Sequence, residues 1–259
     1  MEAGHCILCS MAASCVLVAD ALFTAFTGFL MFFAPDKVAN YVFDRQTDGV
    51  HWHLVRCVGG QLLAGAFVTI RFRNSNKTAQ TSCHILRIIP SIIVLMLIFQ
   101  CRSVTPELIA SEYLDFAKYF CFGALALHIV MLVSSGWPIG TSLLPGSRIG
   151  DCLYQLDAIA SICIGVAWLT FPKWLLHRQV IISMDESHEL CGRVMGALFV
   201  TSYAVSAHAL HWTSKKDRMV AVDSRVVCCL CILSAQVWSQ FAYLDSWSGG
   251  HWNCSFLVF

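Results

Sequence analysis

Two segments of the chain carry the same spacing of polar residues, Asp-x2-His-x4-Arg-x2-Gly, each at the start of an apolar run. Imidazole and carboxylate groups are ligands of divalent metal ions, and histidine together with arginine can bind an anionic lipid headgroup. Either site requires the two segments to meet on one face of the protein. The polar members of the motif are Asp48, His51 and Arg56 in the first segment, and Asp185, His188 and Arg193 in the second.

The same residues also have a purely structural interpretation, which the sequence favours. An aspartate at a helix start caps the helix and lies at the positive end of its dipole. An arginine about one turn deeper can extend outward to an acid or to loop carbonyls, and glycine lets a neighbouring helix approach closely. Asp-x2-His alone is a weak metal-binding pattern. The sequence therefore predicts no metal ion and no cofactor.

Two further acids, Asp20 and Asp157, lie near the middle of apolar runs. A charged aspartate at the centre of a membrane helix costs about 2.5–3.5 kcal/mol, so neither acid is expected to face lipid. Such residues either line an ion, proton or substrate path or form a structural ion pair inside the bundle. Arg87 and Arg225 are the candidate partners, because both lie near the cytoplasmic ends of their predicted spans. The sequence leaves both roles open.

The composition indicates which class of protein must position these residues. Of the 259 residues, 57% are hydrophobic and 13% are charged, with a mean hydropathy of +0.66. Soluble domains carry about 25% charged residues, so the chain is predicted to be an integral membrane protein whose partner is the lipid bilayer. The net charge of +1 excludes nucleic acid as a partner. Hydrolase, zinc-protease and nucleotide-binding motifs do not occur, so an enzyme is the less favoured class and no catalytic residue is predicted.

Seven apolar runs predict seven transmembrane helices, because each approaches the length of about 20 residues that a bilayer requires. Charged and turn-forming residues separate the runs. The third run is the least regular, since His84 and Arg87 lie in its first turns. The predicted spans are 14–33, 52–70, 83–101, 113–133, 152–171, 194–210 and 226–244.

Lysine and arginine residues in the short loops predict the orientation, because cytoplasmic loops carry an excess of them. The loops after spans two, four and six contain seven such residues, against five in the loops on the other side. This bias predicts a cytoplasmic N-terminus and a lumenal or extracellular C-terminus, in an organelle that the sequence does not specify. The seven are Arg71, Arg73, Lys77, Arg148, Lys215, Lys216 and Arg218, and the five are Lys37, Arg45, Arg102, Lys173 and Arg178.

A shift of the chain by 137 residues aligns nine identical residues between positions 20 and 71 without a gap. Most of them are polar, glycine or proline, which apolar composition alone does not align, so they indicate a tandem duplication. Span five comes four spans after span one, and because four is even the two copies run in the same direction. The predicted fold is an all-α membrane protein with seven transmembrane helices in a 3+1+3 parallel repeat. Its parts are a first repeat at 12–111, a linker helix at 112–135, a second repeat at 152–245 and a C-terminal tail at 246–259.

Each repeat carries a proline at the end of its first helix and Arg-x2-Gly near the start of its second, namely Pro35, Arg56 and Gly59, and Pro172, Arg193 and Gly196. In this the unit resembles the DoxX-like membrane proteins, which are small four-helix units. The resemblance implies that residues 12–133 form one unit and that the second unit lacks its fourth helix. It implies no particular chemistry. The parallel plan is also similar to that of the SWEET sugar transporters, although their central prolines are missing here and the predicted orientation is opposite.

Two functions from different classes fit these features. In the first, the protein handles a small solute, a proton or a lipid through a polar site between the repeats, with Asp20 and Asp157 in the path. In the second, it is a structural or adaptor membrane protein whose buried charges only fix helix packing. A hydrated cavity between the repeats favours the first function, and a dry bundle with both acids paired to arginine favours the second. The candidate ligand is a small molecule or a lipid, and no protein partner is indicated.

Two glycosylation sequons, at Asn76 and Asn253, test the predicted orientation. In eukaryotic cells the chain should be glycosylated at Asn253 and not at Asn76, because only the C-terminal sequon would face the lumen. A mobility shift that disappears on glycosidase treatment measures the modification, with Asn253→Gln and Asn76→Gln as matched variants. A shift that depends on Asn76 would reverse the orientation.

Overall fold

A computed structural model describes residues 2–140, 148–180 and 183–244, with side chains described for 13–140, 148–180 and 183–239. These ranges form nine helices and no β-strand beyond one isolated bridge. Asn253 and the predicted tail at 246–259 lie outside them. The helices are α1 (Glu2–Phe33), α2 (Pro35–Val42), α3 (Gly49–Phe72), α4 (Lys77–Val104), α5 (Ser111–Ser134), α6 (Arg148–Thr170), α7 (Pro172–Gln179), α8 (Glu186–Ala209) and α9 (Lys215–Leu244).

Seven of the helices in these ranges are long and apolar enough to cross a membrane, namely α1, α3, α4, α5, α6, α8 and α9. Each corresponds to one span predicted from the sequence, so the all-α class and the multi-pass membrane assignment are confirmed. The irregular third span is longer than predicted. Its helix α4 starts at Lys77 because the Asn76 side chain caps it, accepting a hydrogen bond from the backbone N–H of Ala79 at 2.9 Å.

Two short helices, α2 and α7, form where the sequence predicts loops. Each begins at a proline, Pro35 or Pro172, directly after a long helix. Proline suits the first helical turn because its φ angle is already helical and it has no N–H to leave unpaired. Ala39 on α2 and Leu176 on α7 are buried, so both short helices pack against the end of the bundle.

The central helices α3 and α8 begin with the same cap. The carboxylate of Asp48 accepts hydrogen bonds from the backbone N–H groups of Val50 and His51, and Asp185 does the same for the two matching residues of α8. In return, the histidine Nδ1 of each helix lies 3.3 Å from the backbone nitrogen of its capping aspartate. Both aspartates therefore cap their helices, as the structural interpretation predicts. The end of the bundle at which α3 and α8 begin is called the capped end below.

Some of the long helices pack within their own half of the chain, and others pack against the opposite half. Helix α1 packs along α3, α6 packs along α8, and α3 contacts α8 at the centre. Helix α4 packs against α5 and α8, whereas α9 packs against α3. Helices α4 and α9 therefore each contact the central helix of the other half.

Glycine pairs permit two very close helix crossings. A Cβ on Gly59 of α3 would lie 2.7 Å from the carbonyl oxygen of Gly28 on α1. A Cβ on Gly196 of α8 would lie 2.8 Å from the carbonyl oxygen of Gly165 on α6. Side-chain carbons do not approach backbone atoms this closely, so these crossings need small residues. The close approach predicted at Gly59 and Gly196 is confirmed.

Two apolar clusters fill the bundle, one toward the capped end and one toward the opposite end. Leu54 and Trp168 belong to the first cluster, and Phe72 and Trp212 to the second. Large apolar side chains such as Phe26 are exposed on the outer faces of α1, α5 and α6, where lipid would cover them. Polar side chains of the central helices lie between the two clusters.

Adding a methyl group at the crossings should disrupt the fold. Gly59→Ala and Gly165→Ala should lower the yield of monodisperse protein after detergent extraction, because each new Cβ overlaps backbone of the neighbouring helix. Gly123→Ala on α5 is the matched control, since no described atom lies within 4 Å of its Cβ. Alanine at this control position favours the helix by up to about 1 kcal/mol. Equal yields from all three variants would contradict the close crossings.

Candidate functional site

Four members of the polar motif meet at the capped end, where α3 and α8 begin side by side. The rings of His51 and His188 pack against each other, with centroids 3.7 Å apart and planes inclined by 39°. The residues are buried, with 2% and 3% of their surfaces exposed. Asp48 and Asp185 lie beside them at the edge of the cluster. These four residues are called the capped-end cluster below.

His188 lies between two carboxylates. Its Nδ1 is 2.7 Å from Oδ1 of Asp185, and its Nε2 is 3.1 Å from Oδ2 of Asp48. A neutral imidazole has a single N–H donor, so only the doubly protonated ring donates to both acids at once. The space between His188 and Asp48 therefore suits either a proton or another cation.

His51 reaches the other copy of the motif through a serine. Its Nδ1 is 3.0 Å from Oδ1 of Asp48, and its Nε2 is 2.6 Å from Oγ of Ser187. Ser187 Oγ in turn donates a hydrogen bond to Oδ1 of Asp185 at 2.5 Å. Both histidines therefore connect α3 to α8, His188 by direct contact with a carboxylate and His51 through a hydroxyl group.

Hydrogen bonds keep both carboxylates of the cluster charged. Burial raises the pKa of Asp48, but hydrogen bonds from His188 and His51 lower it by more, so the pKa stays well below its usual range. Burial also raises the pKa of Asp185, and hydrogen bonds from Ser187 and the His188 backbone lower it by more. A depressed carboxyl pKa stabilises the fold above the ordinary pKa of the group. That stabilisation is lost as the pH falls toward the depressed value.

Arg45 lies at the exposed rim of the cluster. Its Nη1 is 3.1 Å from Glu186 and 3.5 Å from Asp185, joining the loop before α3 to the start of α8. All three side chains are more than a third exposed, so the pairing contributes little to stability. It does place one positive charge beside the acids.

Arg56 and Arg193, which the sequence places in the same polar group, have other partners. Arg56 donates to the carbonyl oxygen of Phe32 at 2.9 Å and lies over the ring of Trp238. Arg193 donates to Glu189, one turn earlier on α8, at 3.2 Å. Each arginine lies five positions after its histidine, which is about 7.5 Å along a helix. Both guanidinium groups therefore bind at a different depth from the histidines.

The mid-membrane acids form ion pairs with the arginines that the sequence proposes for them. Arg87 Nε donates to Oδ2 of Asp20 at 2.7 Å, and Arg225 Nη2 donates to Oδ2 of Asp157 at 2.8 Å. Neighbouring hydroxyl groups add further hydrogen bonds, such as that from Arg87 to Thr24 at 2.7 Å. Neither acid of these pairs is left to face lipid without a partner.

A cavity of about 50 Å³ lies among α3, α4, α8 and α9, between the two apolar clusters. Both arginines of the ion pairs line it, whereas Asp20 and Asp157 are not among the described residues that do so. Its other lining is apolar, mainly valine and leucine. The polar lining residues include Gln61, Arg87, Thr201, Ser202, Ser206 and Arg225.

Gln61 is the most unusual member of this lining. The residue is 8% exposed, and neither its Nε2 nor its Oε1 has a hydrogen-bond partner among the described residues. An unpaired buried polar group costs about 1–3 kcal/mol. Groups of this kind are normally satisfied by water or by a ligand. Gln61 lines the cavity, so a molecule held there lies next to its side chain.

A second histidine pair adjoins the first ion pair. The Nδ1 atoms of His84 on α4 and His128 on α5 are 3.0 Å apart, and both residues are buried. His128 Nε2 lies 3.7 Å from Oδ1 of Asp20. Titratable groups therefore extend from the ion pair toward the end of the bundle opposite the capped end.

Gln61 and Ser187 are not among the site residues predicted from the sequence. A lone amide in the middle of an apolar span was an available signal for Gln61, because such side chains seek partners inside a bundle. Ser187 carries no signal, since its match in the first copy is Val50. Its role depends on the separation of α3 and α8, which sequence spacing does not give.

Comparison with known proteins gives one match. A family model described as Domain of unknown function (DUF8292) matches residues 18–259, which include both ion pairs, the capped-end cluster and the cavity. No curated protein and no solved structure matches the chain.

Replacing either mid-membrane acid should destabilise the protein, and Asp20→Asn should do so more than Asp157→Asn. The Asp20 side chain is 15% exposed and that of Asp157 is 28% exposed. Leaving one charge of a buried pair alone costs about 3–5 kcal/mol, and more complete burial moves the cost toward the upper value. Thermal unfolding of detergent-extracted protein compares the stability of the two variants with that of the wild type.

The double variant Asp20→Asn with Arg87→Gln separates charge from packing. It should recover part of the stability lost in Asp20→Asn, because no guanidinium is then left unpaired. If the two substitutions are simply additive, the ion pair is not the source of the loss.

Proposed function

The chain belongs to the DUF8292 family, and we propose that it is a multi-pass membrane protein that binds a small polar solute in the cavity at the middle of the bundle. The observation that carries the proposal is the buried amide of Gln61, which lines the cavity and lacks a partner among the described residues. A site that leaves one donor and one acceptor group unpaired is complementary to a molecule that satisfies them.

The lining favours a small anion or another hydrogen-bond acceptor. The guanidinium groups of Arg87 and Arg225 are the positively charged donors of the lining, while the paired carboxylates lie outside it. A water-sized site needs about 10–15 Å³, so a cavity of about 50 Å³ holds a few waters or one small solute. The proposal therefore takes a small solute or a proton, rather than a lipid, as the ligand.

We also propose that the chain is a tandem duplication of one DoxX-like unit. The bounds of α2 and α7, Pro35–Val42 and Pro172–Gln179, differ by 137 residues at both ends. The bounds of α3 and α8, Gly49–Phe72 and Glu186–Ala209, differ by the same number. Independent helices have no reason to share one offset, which supports a common origin.

The cavity lining follows the same correspondence. Gly65 matches Ser202 at the offset of 137, and Arg87 matches Arg225 after an insertion of one residue. An opening lined by equivalent residues of two repeats lies on the axis that relates them. Transporters built from repeats bind their substrates at this position, near the middle of the membrane.

The predicted orientation assigns each end of the bundle to one side of the membrane. With a cytoplasmic N-terminus, the capped end faces the lumen or the cell exterior, and His84 and His128 lie on the cytoplasmic side of the cavity. His84 contacts His128, and His128 contacts Asp20, which provides a row of titratable groups by which a proton could reach the Arg87 ion pair. The bound solute and the moving proton would then both interact with the Arg87 ion pair.

A structural or adaptor role is the second candidate, and one observation favours it. Asp20 and Asp157 are both held in ion pairs, as expected for charges that only fix helix packing. In that case the cavity contains water alone, and the protein carries no solute. The two functions differ in what a change at Gln61 does.

Gln61→Leu tests the two functions against each other, with chloride as the probe anion. The second repeat already has Leu198 at the matching position, so the side chain is compatible with the fold. Purified protein in liposomes should release chloride faster than protein-free liposomes, and Gln61→Leu should reduce the rate at least about tenfold. Gln155→Leu, at an exposed position on α6, is the matched control and should keep the wild-type rate.

Unfolding measurements on the same variants complete the test. Gln61→Leu should be at least as stable as the wild type, because it removes an unpaired amide. A wild-type protein that releases no chloride, or a Gln61→Leu variant with unchanged release, would contradict anion binding at this cavity.

A further inference from the structure

We propose that the capped-end cluster binds a divalent cation of the zinc class through Asp48, His51 and His188. Each of the three offers a ligand atom, and these atoms all lie within 4.8 Å of one another. The site is separate from the mid-membrane cavity and does not depend on the proposed function.

The spacing of the groups matches a tetrahedral coordination shell. Ligands about 2.0–2.1 Å from zinc lie about 3.3 Å from one another. Nε2 of His188 is 3.1 and 3.2 Å from the two carboxylate oxygens of Asp48, and Nδ1 of His51 is 3.0 Å from the nearer one. The distances from each histidine to Asp48 therefore match this shell, and all three ligand atoms lie within 4.8 Å of one another.

The remaining polar groups are arranged as supports for such ligands. Histidine ligands usually donate their other N–H to a carboxylate or hydroxyl, which fixes the ring orientation. Nδ1 of His188 faces Asp185 at 2.7 Å, and Nε2 of His51 faces Ser187 at 2.6 Å. Because Ser187 donates to the same Asp185 oxygen, one carboxylate orients both imidazole rings.

The local charge also favours a cation. Three carboxylates, those of Asp48, Asp185 and Glu186, surround the start of α8. They face one guanidinium group, that of Arg45, and two helix N-termini worth about half a positive charge each. The cluster with neutral histidines therefore keeps about one negative charge, which a divalent ion would offset.

A bound cation would cross-link the two central helices, α3 and α8. Asp48 and His51 belong to the start of α3, whereas His188 belongs to α8, so coordination fixes the distance between the two helices at the capped end. The sequence suggests that the two segments could share a metal site but predicts no metal, because Asp-x2-His is a weak pattern that does not supply a full ligand set. The third ligand comes from 137 residues further along the chain.

Zinc titration of the full chain in detergent, after dialysis against a chelator, tests the site. The wild type should bind one zinc ion per chain and unfold at a higher temperature with zinc than with chelator. His188→Gln should abolish this binding. Ser187→Ala, which keeps all three ligands, should weaken it about 10–100-fold, as loss of an orienting group does. His177→Gln, at an exposed histidine on α7, is the matched control and should bind as the wild type does.

His188→Gln could lose zinc binding simply by misfolding, and Ser187→Ala controls for this. A side chain without a hydroxyl group is compatible with the fold at this position, because the first copy carries Val50 at the matching position. Cobalt binding read by visible absorption gives a second readout, since tetrahedral cobalt absorbs strongly. The proposal is overturned if the wild type binds no zinc and gains no thermal stability from it. It is equally overturned if zinc binding is the same in wild type, Ser187→Ala and His188→Gln, which would indicate adventitious ions only.

Discussion

The structure depends on the neutralisation of two carboxylates in the middle of an apolar bundle. Asp20 on α1 and Asp157 on α6 each require a cation at the same depth. Arg87 on α4 and Arg225 on α9 supply it, so each of these helices must lie within side-chain reach of the first helix of its own half. They reach that position while packing against the central helix of the other half. One electrostatic requirement thus fixes four helices and ties the halves together.

The sequence predicts a large part of this arrangement because the controlling features are local. Apolar length gives the seven spans, the aspartates of the motif give the caps of α3 and α8, and Gly59 and Gly196 give the close crossings. The partners of Asp20 and Asp157 also follow from sequence, because charge in hydrocarbon allows few solutions. The short helices α2 and α7 cannot be predicted in this way. Their apolar residues become buried only when the end of the folded bundle covers them.

The candidate sites could be predicted only in part, for a related reason. Sequence spacing places His51 beside Asp48 and His188 beside Asp185, but it does not give the distance between α3 and α8. That distance decides whether two weak motifs remain separate caps or become one cluster. The cavity is harder still, because it is a property of four helices at once. Gln61 is visible in the sequence as a lone amide, yet only the packing shows that no group in the described part of the chain satisfies it.

The crosswise packing of α4 and α9 has a consequence for biosynthesis. The ribosome completes α3 long before it reaches α9, although the two pack so closely that a Cβ on Gly60 would lie 2.6 Å from the Cβ of Cys231. Until α9 emerges from the translocon, that face of α3 has no native neighbour. The nascent first half is therefore an incompletely packed intermediate in the membrane. A chain that is interrupted before α9 leaves this face of α3 unpacked, and we expect it to be degraded by membrane quality control.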